Sequence, residues 1–254
     1  MKVLLFNCLI FVTLCIPYNN LKITYTLNPN NTNSEKSGSD TVPFNWNSAN
    51  NFKTNQLIYE RVKNAYDEKQ TTIEKLLKTA HCYNNRFELK LRAFKTKKIL
   101  EVFIRPEGKG NFKKLIEYEI CFIPGKLGPK KSEGDMQVPE GIYHIDRFNP
   151  ASKFHLSLGI NYPNSKDLKR SSEKPGGDIF IHGNCISVGC LPMTDEKMKE
   201  IYILAIESKD QLNSMITVEI FPFKMNDNNF IKNHSIYEKN KSLYDELLLR
   251  FNSI

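Results

Sequence analysis

The chain has 254 residues, of which 40% are hydrophobic and 25% charged. That balance excludes wholesale disorder and allows a packed core, in one fairly large domain with extensions or in two small ones. The net charge of +8 suits an anionic partner. However, Lys and Arg are spread along the chain and no basic run alternates with aromatics, so nucleic-acid binding is not expected.

Lys2 precedes an apolar run over residues 3–16. The run has the length of a signal-peptide core and is short for a membrane span. Residues 1–17 are therefore read as a signal peptide, with a membrane anchor through the N-terminus as the alternative. Either reading predicts export, to the periplasm or cell envelope. Loss of the segment leaves Cys82, Cys121, Cys185 and Cys190. Their spacing is no metal-finger pattern, and four are sparse for a disulfide scaffold. With no His/Asp/Glu ligand cluster either, no metal and no cofactor are expected.

Residues 18–50 are rich in Asn, Ser and Thr and read as a flexible linker. Over 51–82, Leu57, Ile58, Val62, Ala65 and Tyr66, then Ile73, Leu76, Leu77 and Ala80, recur at three and four, which predicts one long or broken amphipathic helix. From residue 83 the period becomes two. Phe87, Leu89, Leu91 and Ala93 alternate with Glu88, Lys90 and Arg92. Ile116, Tyr118, Ile120 and Phe122 alternate with Glu117, Glu119 and Cys121. These runs, with 99–104 and 142–145, predict a mostly antiparallel sheet.

Phe154, Leu156 and Leu158 read as a strand with His155 on its polar face. Residues 161–177, with Pro163, Pro175, Gly176 and Gly177, read as a long surface loop. Thr194-Asp195-Glu196 is a helix start, Ile216 opens a strand stopped by Pro222, and 226–254 is a connector followed by an amphipathic helix. The fold class is thus mainly β with flanking helices, α+β.

The chemistry concentrates in residues 179–190. A short apolar run ends on His182, a small-residue loop follows, and it closes on Gly189 and Cys190. A free thiol is only a few per cent thiolate at neutral pH, so a cysteine nucleophile needs a neighbouring base. His182 fills that role. Backbone N–H groups near Gly189 and Cys190 would stabilise an oxyanion, with Gly189 allowing close approach of a carbonyl. Taken singly, a cysteine is more often packing and a strand-end histidine more often structural. The pair in one Gly-containing loop after an apolar strand is what points to catalysis.

Ile181-His182-Gly183 followed by Ser187-Val188-Gly189-Cys190 resembles the active-site signature of the L,D-transpeptidase catalytic domain, the YkuD family. Blocks similar to its murein branch occur in order: Gly125-Lys126-Leu127-Gly128-Pro129-Lys130, then 133–143, Asn149-Pro150, Tyr162-Pro163-Asn164, Met193-Thr194-Asp195-Glu196 and Phe221-Pro222-Phe223-Lys224-Met225. The resemblance spans about residues 86–225. It implies a β-sandwich-like catalytic domain over 83–225 and an exported enzyme acting on peptidoglycan stem peptides. Cys190 would be the nucleophile, His182 its base, and Ser187, Gly183 and Gly189 the oxyanion and loop residues. His155 and Tyr162 would line the cleft. The thiolate would attack the carbonyl at the L-centre of the stem-peptide diamino acid and form a thioester.

Three departures stand out. Val188 replaces the usual histidine, Pro192 replaces the usual Arg or Asn, and the gap from His182 to Ser187 is short. They fit the murein branch of the family, for which the resemblance implies hydrolysis of an amide joining peptidoglycan to a lipoprotein. The alternatives are transpeptidation, making cross-links or attaching proteins, and an inactive wall-binding protein. Cys185 is read as packing, or as a disulfide partner of Cys190, and Cys121 as structural.

Overall fold

In the computed structural model, which describes residues 51–82, 86–108, 110–171 and 174–253, the expected helical segment forms two helices, α1 (Phe52–Leu57) and α2 (Glu60–Thr79). The expected signal segment and linker lie outside the described residues. The chain bends at Tyr59, whose extended backbone caps α2. Val62, Ala65, Tyr66, Ile73 and Leu77 form the buried stripe of α2, at the spacing the sequence predicts.

The strands follow: β1 (Phe87–Phe94), β2 (Ile99–Pro106), β3 (Lys113–Glu119), β4 (Gly141–Asn149) and β5 (Ser157–Ile160). Then come α3 (Ser165–Arg170), β6 (Phe180–His182), β7 (Leu191–Pro192), α4 (Asp195–Leu212) and β8 (Thr217–Phe221). Helices α5 (Asp227–Lys232), α6 (His234–Lys239) and α7 (Lys241–Phe251) end the chain. Among the described residues the eight strands make one mixed sheet, in the order β3-β2-β1-β8-β4-β5-β6-β7. β1–β8 and β6–β7 are parallel and the other neighbours antiparallel. The expected α+β class and mostly antiparallel pairing therefore hold.

The sheet curls at β4. Residues 141–144 of that strand pair with β8, whereas 145–149 pair with β5, and the register shifts between Ile145 and Arg147. An extra residue on one strand bends it and increases its twist. Here it turns the β5-β6-β7 half, which carries His182, away from the β1-β2-β3 half.

Alternation on β1 predicts one wet face, and the structure covers both. Phe87, Leu89, Leu91 and Ala93 pack in the main core with α2 and α4. On the other face Phe94, Phe221 and Phe223 meet Leu243, Tyr244 and Leu247 of α7. Lys90 and Arg92 are consequently buried, and Arg92 Nε donates to Glu219 at 2.7 Å. Arg250 of α7 donates to the other Glu219 oxygen at 2.7 Å. Expected as one helix, the C-terminal segment is three, with the last completing the fold.

A second buried pair ties the cleft loops to this core. Lys95 Nζ and Glu140 Oε1 are 2.9 Å apart, both inaccessible. Lys95 also donates to the carbonyls of Gly128 and Val138, while Glu140 accepts from the Gly128 amide and the Tyr244 hydroxyl. Removing one partner strands the other charge in the interior. Glu140→Ala is expected to lower stability by about 3 kcal/mol, read as a lower urea midpoint at unchanged slope. An unchanged midpoint would show that Lys95 is satisfied without it.

Candidate active site

The sheet's far edge builds the site. Ser157 of β5 pairs with His182, and His182 with Pro192 of β7. β6 and β7 are parallel, so the chain must leave one, cross over and start the other within residues 183–190. Parallel strands ordinarily need a much longer connection. The short crossover explains the local composition. Asn184 takes the left-handed region at φ 58° and Gly189 has φ 152°, a backbone that side chains rarely adopt.

Cys190 ends this loop, half-buried and free. The Phe180 amide donates to its Sγ at 3.3 Å, and the thiol lies 3.6 Å from the Asp178 carbonyl, an S–H···O contact. Burial pushes the thiol above its ordinary range. The Phe180 amide and the Ser187 hydroxyl oppose this, and Asp178 adds to it.

His182 is 2% exposed, and its Nδ1 is 2.6 Å from the Gly183 carbonyl. A carbonyl only accepts, so Nδ1 carries the proton and Nε2 presents a lone pair. Burial pulls the imidazole below its ordinary range, the Gly183 carbonyl opposing. The ring packs on Phe154, centroids 4.9 Å apart. His182 is two residues along β6 from Phe180 and shares its face. Among the described residues no hydrogen bond links His182 to Cys190. The thiol and the base share one edge, each held by backbone groups. Raised cysteine and lowered histidine together make the resting pair neutral.

Ser187 Oγ accepts from the Gly189 amide at 3.2 Å and the Cys190 amide at 2.7 Å. The two N–H groups expected to serve an oxyanion are therefore occupied by Ser187 in this structure, because a serine hydroxyl reaches backbone two and three residues ahead. Gly183 also differs from its expected part. A Cβ there would come within 2.5 Å of Asp195 Oδ1 and 2.9 Å of His155 Cβ, so the missing side chain serves packing, and its carbonyl orients His182.

His155 is not on a strand face. It sits in a turn at φ 65°, ahead of β5, and its buried Nε2 has no hydrogen-bond partner among the described residues. Its carbonyl, with that of Ser152, accepts from Arg61 of α2, and its neighbour Phe154 covers His182. Tyr162 is 4% exposed, so it does not line the cleft. Its hydroxyl reaches the carbonyls of Lys130 and Pro175, each at 3.3 Å, tying two loops together. The expected 161–177 loop contains α3, nucleated by a capping box between Asn164 and Asp167.

Cys185 is disulfide-bonded to Cys121, Cα atoms 5.4 Å apart. It is thus neither packing nor the partner of Cys190. The Cys121 amide also donates to the Pro192 carbonyl at 2.9 Å, so one residue holds both the crossover loop and β7. The Asn184 amide is anchored separately, on Asp195 at 2.7 Å. Phe180, Asp178 and Phe154 are the site residues that sequence reasoning missed, because backbone contacts and covering rings leave no motif.

Among the described residues no group of three or more His, Cys, Asp or Glu could hold a metal, and no helix is long and apolar enough to cross a membrane. Residues 104–213 match the model of the L,D-transpeptidase catalytic domain, YkuD. The chain is 31% identical over 159 residues to the Escherichia coli K12 protein YafK, named as an L,D-transpeptidase, and equally to that of strain O157:H7. The alignment spans 62% of this chain and 62% of the relative, less than two thirds of its length. Among solved structures, the helical cell shape determining protein Pgp2 of Campylobacter jejuni is 26% identical, with TM-score 0.42, over 53% of this chain and 48% of that one. L,D-transpeptidase 1 of Mycobacterium tuberculosis is 10% identical, with TM-score 0.30, over 53% and 62%. On the sequence match, the segment that carries Cys190 and His182 is similar to the YkuD L,D-transpeptidase catalytic domain.

Proposed function

We propose that the chain is an exported cysteine acyl-transfer enzyme that acts on peptidoglycan stem peptides, hydrolysing the amide between the diamino acid's L-centre and a lipoprotein. The observation that carries this is the free Cys190 thiol on the same sheet edge as a His182 whose Nδ1 proton is fixed on Gly183, leaving Nε2 as base. Substrate binding closes the gap between them, as catalytic hydrogen bonds commonly tighten in the complex. Nε2 takes the Sγ proton as the sulfur attacks the carbonyl. The imidazolium returns that proton to the departing amine, leaving a thioester. Water then gives a proton to Nε2 and attacks the thioester, and the thiol and a new carboxylate are released.

A neutral pair that needs one shared proton predicts a broad pH plateau in kcat/KM. His182 must be deprotonated, and burial lowers its range, so activity is lost only as pH falls below the ordinary imidazole range. Above the raised thiol range the shared proton is gone and the leaving amine is not protonated, so the alkaline limb lies above the ordinary thiol range. A profile peaking narrowly between the ordinary imidazole and thiol ranges would contradict the neutral pair.

Hydrolysis over transpeptidation is supported by the departures in the loop. Val188, where the family's usual histidine stands, is 76% exposed, and Pro192 is buried against His182. Neither side chain can bind a second peptide polar group. The test is incubation with free and lipoprotein-linked muropeptides in ¹⁸O water, read by mass spectrometry. Hydrolysis places one heavy oxygen in the released carboxylate. Unlabelled cross-linked dimers would favour transpeptidation instead, the reading supported by the names of the relatives. No product of either kind would favour a wall-binding protein.

A further inference from the structure

An ion pair that the acyl-transfer steps do not use stands beside the nucleophile. Arg147 follows the register shift in β4, and bulges of this kind re-aim side chains next to active sites. Its Nη1 donates to Asp178 Oδ1 at 2.7 Å, its Nε is 3.3 Å from Asp146 Oδ1, and its guanidinium lies 4.8 Å over the Phe180 ring. Asp178 and Phe180 are the two residues whose backbone contacts the Cys190 sulfur. Gly159 on β5 makes room for this, since a Cβ there would come 2.9 Å from Arg147 Nε.

The pair has little to do with folding. The Asp178 side chain is 79% exposed and that of Arg147 35%, and exposed pairs contribute about 0–1 kcal/mol. Nor does it activate the thiol, because a negative charge at Asp178 opposes the thiolate. A carboxylate and a guanidinium that help neither folding nor the nucleophile, yet flank it, fit recognition.

We propose that Arg147 and Asp178 clamp the far centre of the diamino acid, Arg147 taking its free carboxylate and Asp178 its free ammonium. This rests on the stem-peptide reading. A diamino acid attacked at one carbonyl keeps an amino and a carboxyl group on one carbon at its other end, a zwitterion complementary to the pair. A lone carboxylate would meet Asp178 and a lone amine would meet Arg147, so a group bearing both is favoured. Donors whose far amine is already acylated in a cross-link bind poorly.

The test uses the full chain and three synthetic stem tripeptides, each ending in the diamino acid amide-linked at its L-centre to a lysine side chain. The far centre is free in the first, N-acetylated in the second and a carboxamide in the third. Wild type is expected to show about ten-fold lower KM for the free form than for either blocked form, the loss of one charge-assisted bond, with kcat little changed. Asp178→Asn should erase only the penalty for N-acetylation, and Arg147→Gln only that for the carboxamide. Equal KM values for all three substrates, or variants that keep both penalties, would overturn the clamp while leaving the stem-peptide reading intact. If wild type cleaves none of them, that reading fails. The clamp then stands or falls on whether the free diamino acid slows iodoacetamide alkylation of Cys190 in wild type but not in Arg147→Gln.

Discussion

Cys190→Ala is expected to lower kcat/KM by at least about a thousand-fold, with folding retained. Among the described residues of the site the thiol is the group that can form the proposed thioester, and the residual rate would come from binding and backbone dipoles. The fold should tolerate the change. The Cys190 amide still donates to Ser187, Gly189 keeps its backbone, and a small truncation at a half-buried position is mild. Cys190→Ser should be nearly as inactive, because a hydroxyl is far less acidic than a thiol and His182 is held in a lowered range by burial. Two measurements check this: muropeptide turnover, and acid-quench mass spectrometry for an acyl adduct on residue 190. Turnover by Cys190→Ala within ten-fold of wild type would remove the mechanism.

The second large effect concerns Cys121 and Cys185. Their bridge closes a loop with a sequence separation of 64, and loop-closure entropy puts its contribution at about 4 kcal/mol. The double serine variant should therefore melt about 10 °C lower. Because the Cys121 amide also holds Pro192 and Cys185 lies in the crossover between His182 and Cys190, activity should fall below the melting point too. Slackening there frees the loop whose amides Ser187 gathers. A dithiol reductant, which gives two electrons and two protons to the bridge, should reproduce both effects in wild type. Equal melting temperatures for oxidised and reduced protein would sink the prediction. Lower stability with full activity would confine the bridge to folding.

Cys185 also shows where a one-dimensional reading stops. Its nearest thiol in sequence is Cys190, five positions away, and its actual partner lies 64 positions back in the chain, before β4, β5 and β6. Which thiols meet is set by how the sheet curls, and the curl depends on a one-residue register shift in β4 that no periodicity announces. His155 failed for a related reason. Alternation with Phe154 and Leu156 reads as a strand, but a left-handed residue there ends the alternation before β5 begins. Arg92 looks like part of a solvated face on β1 until its guanidinium meets the Arg250 and Phe251 carbonyls at the end of α7, a contact between segments more than 100 positions apart.

By itself, the sequence determined the local features: the helix stripes of α2 and α4, the Thr194 cap, the strand periods, and the pairing of a histidine with a cysteine across a Gly-containing loop. Each is written in residues within a few positions of one another, where spacing and side-chain type settle the geometry. Tertiary structure alone decided which nitrogen of His182 bears the proton, that Ser187 holds the two amides beside Cys190, that Cys121 staples the loop, and that Arg147 and Asp178 flank the sulfur. Those depend on the closure of a mixed sheet around a bulged strand, which brings together residues whose distance in the chain carries no local signal.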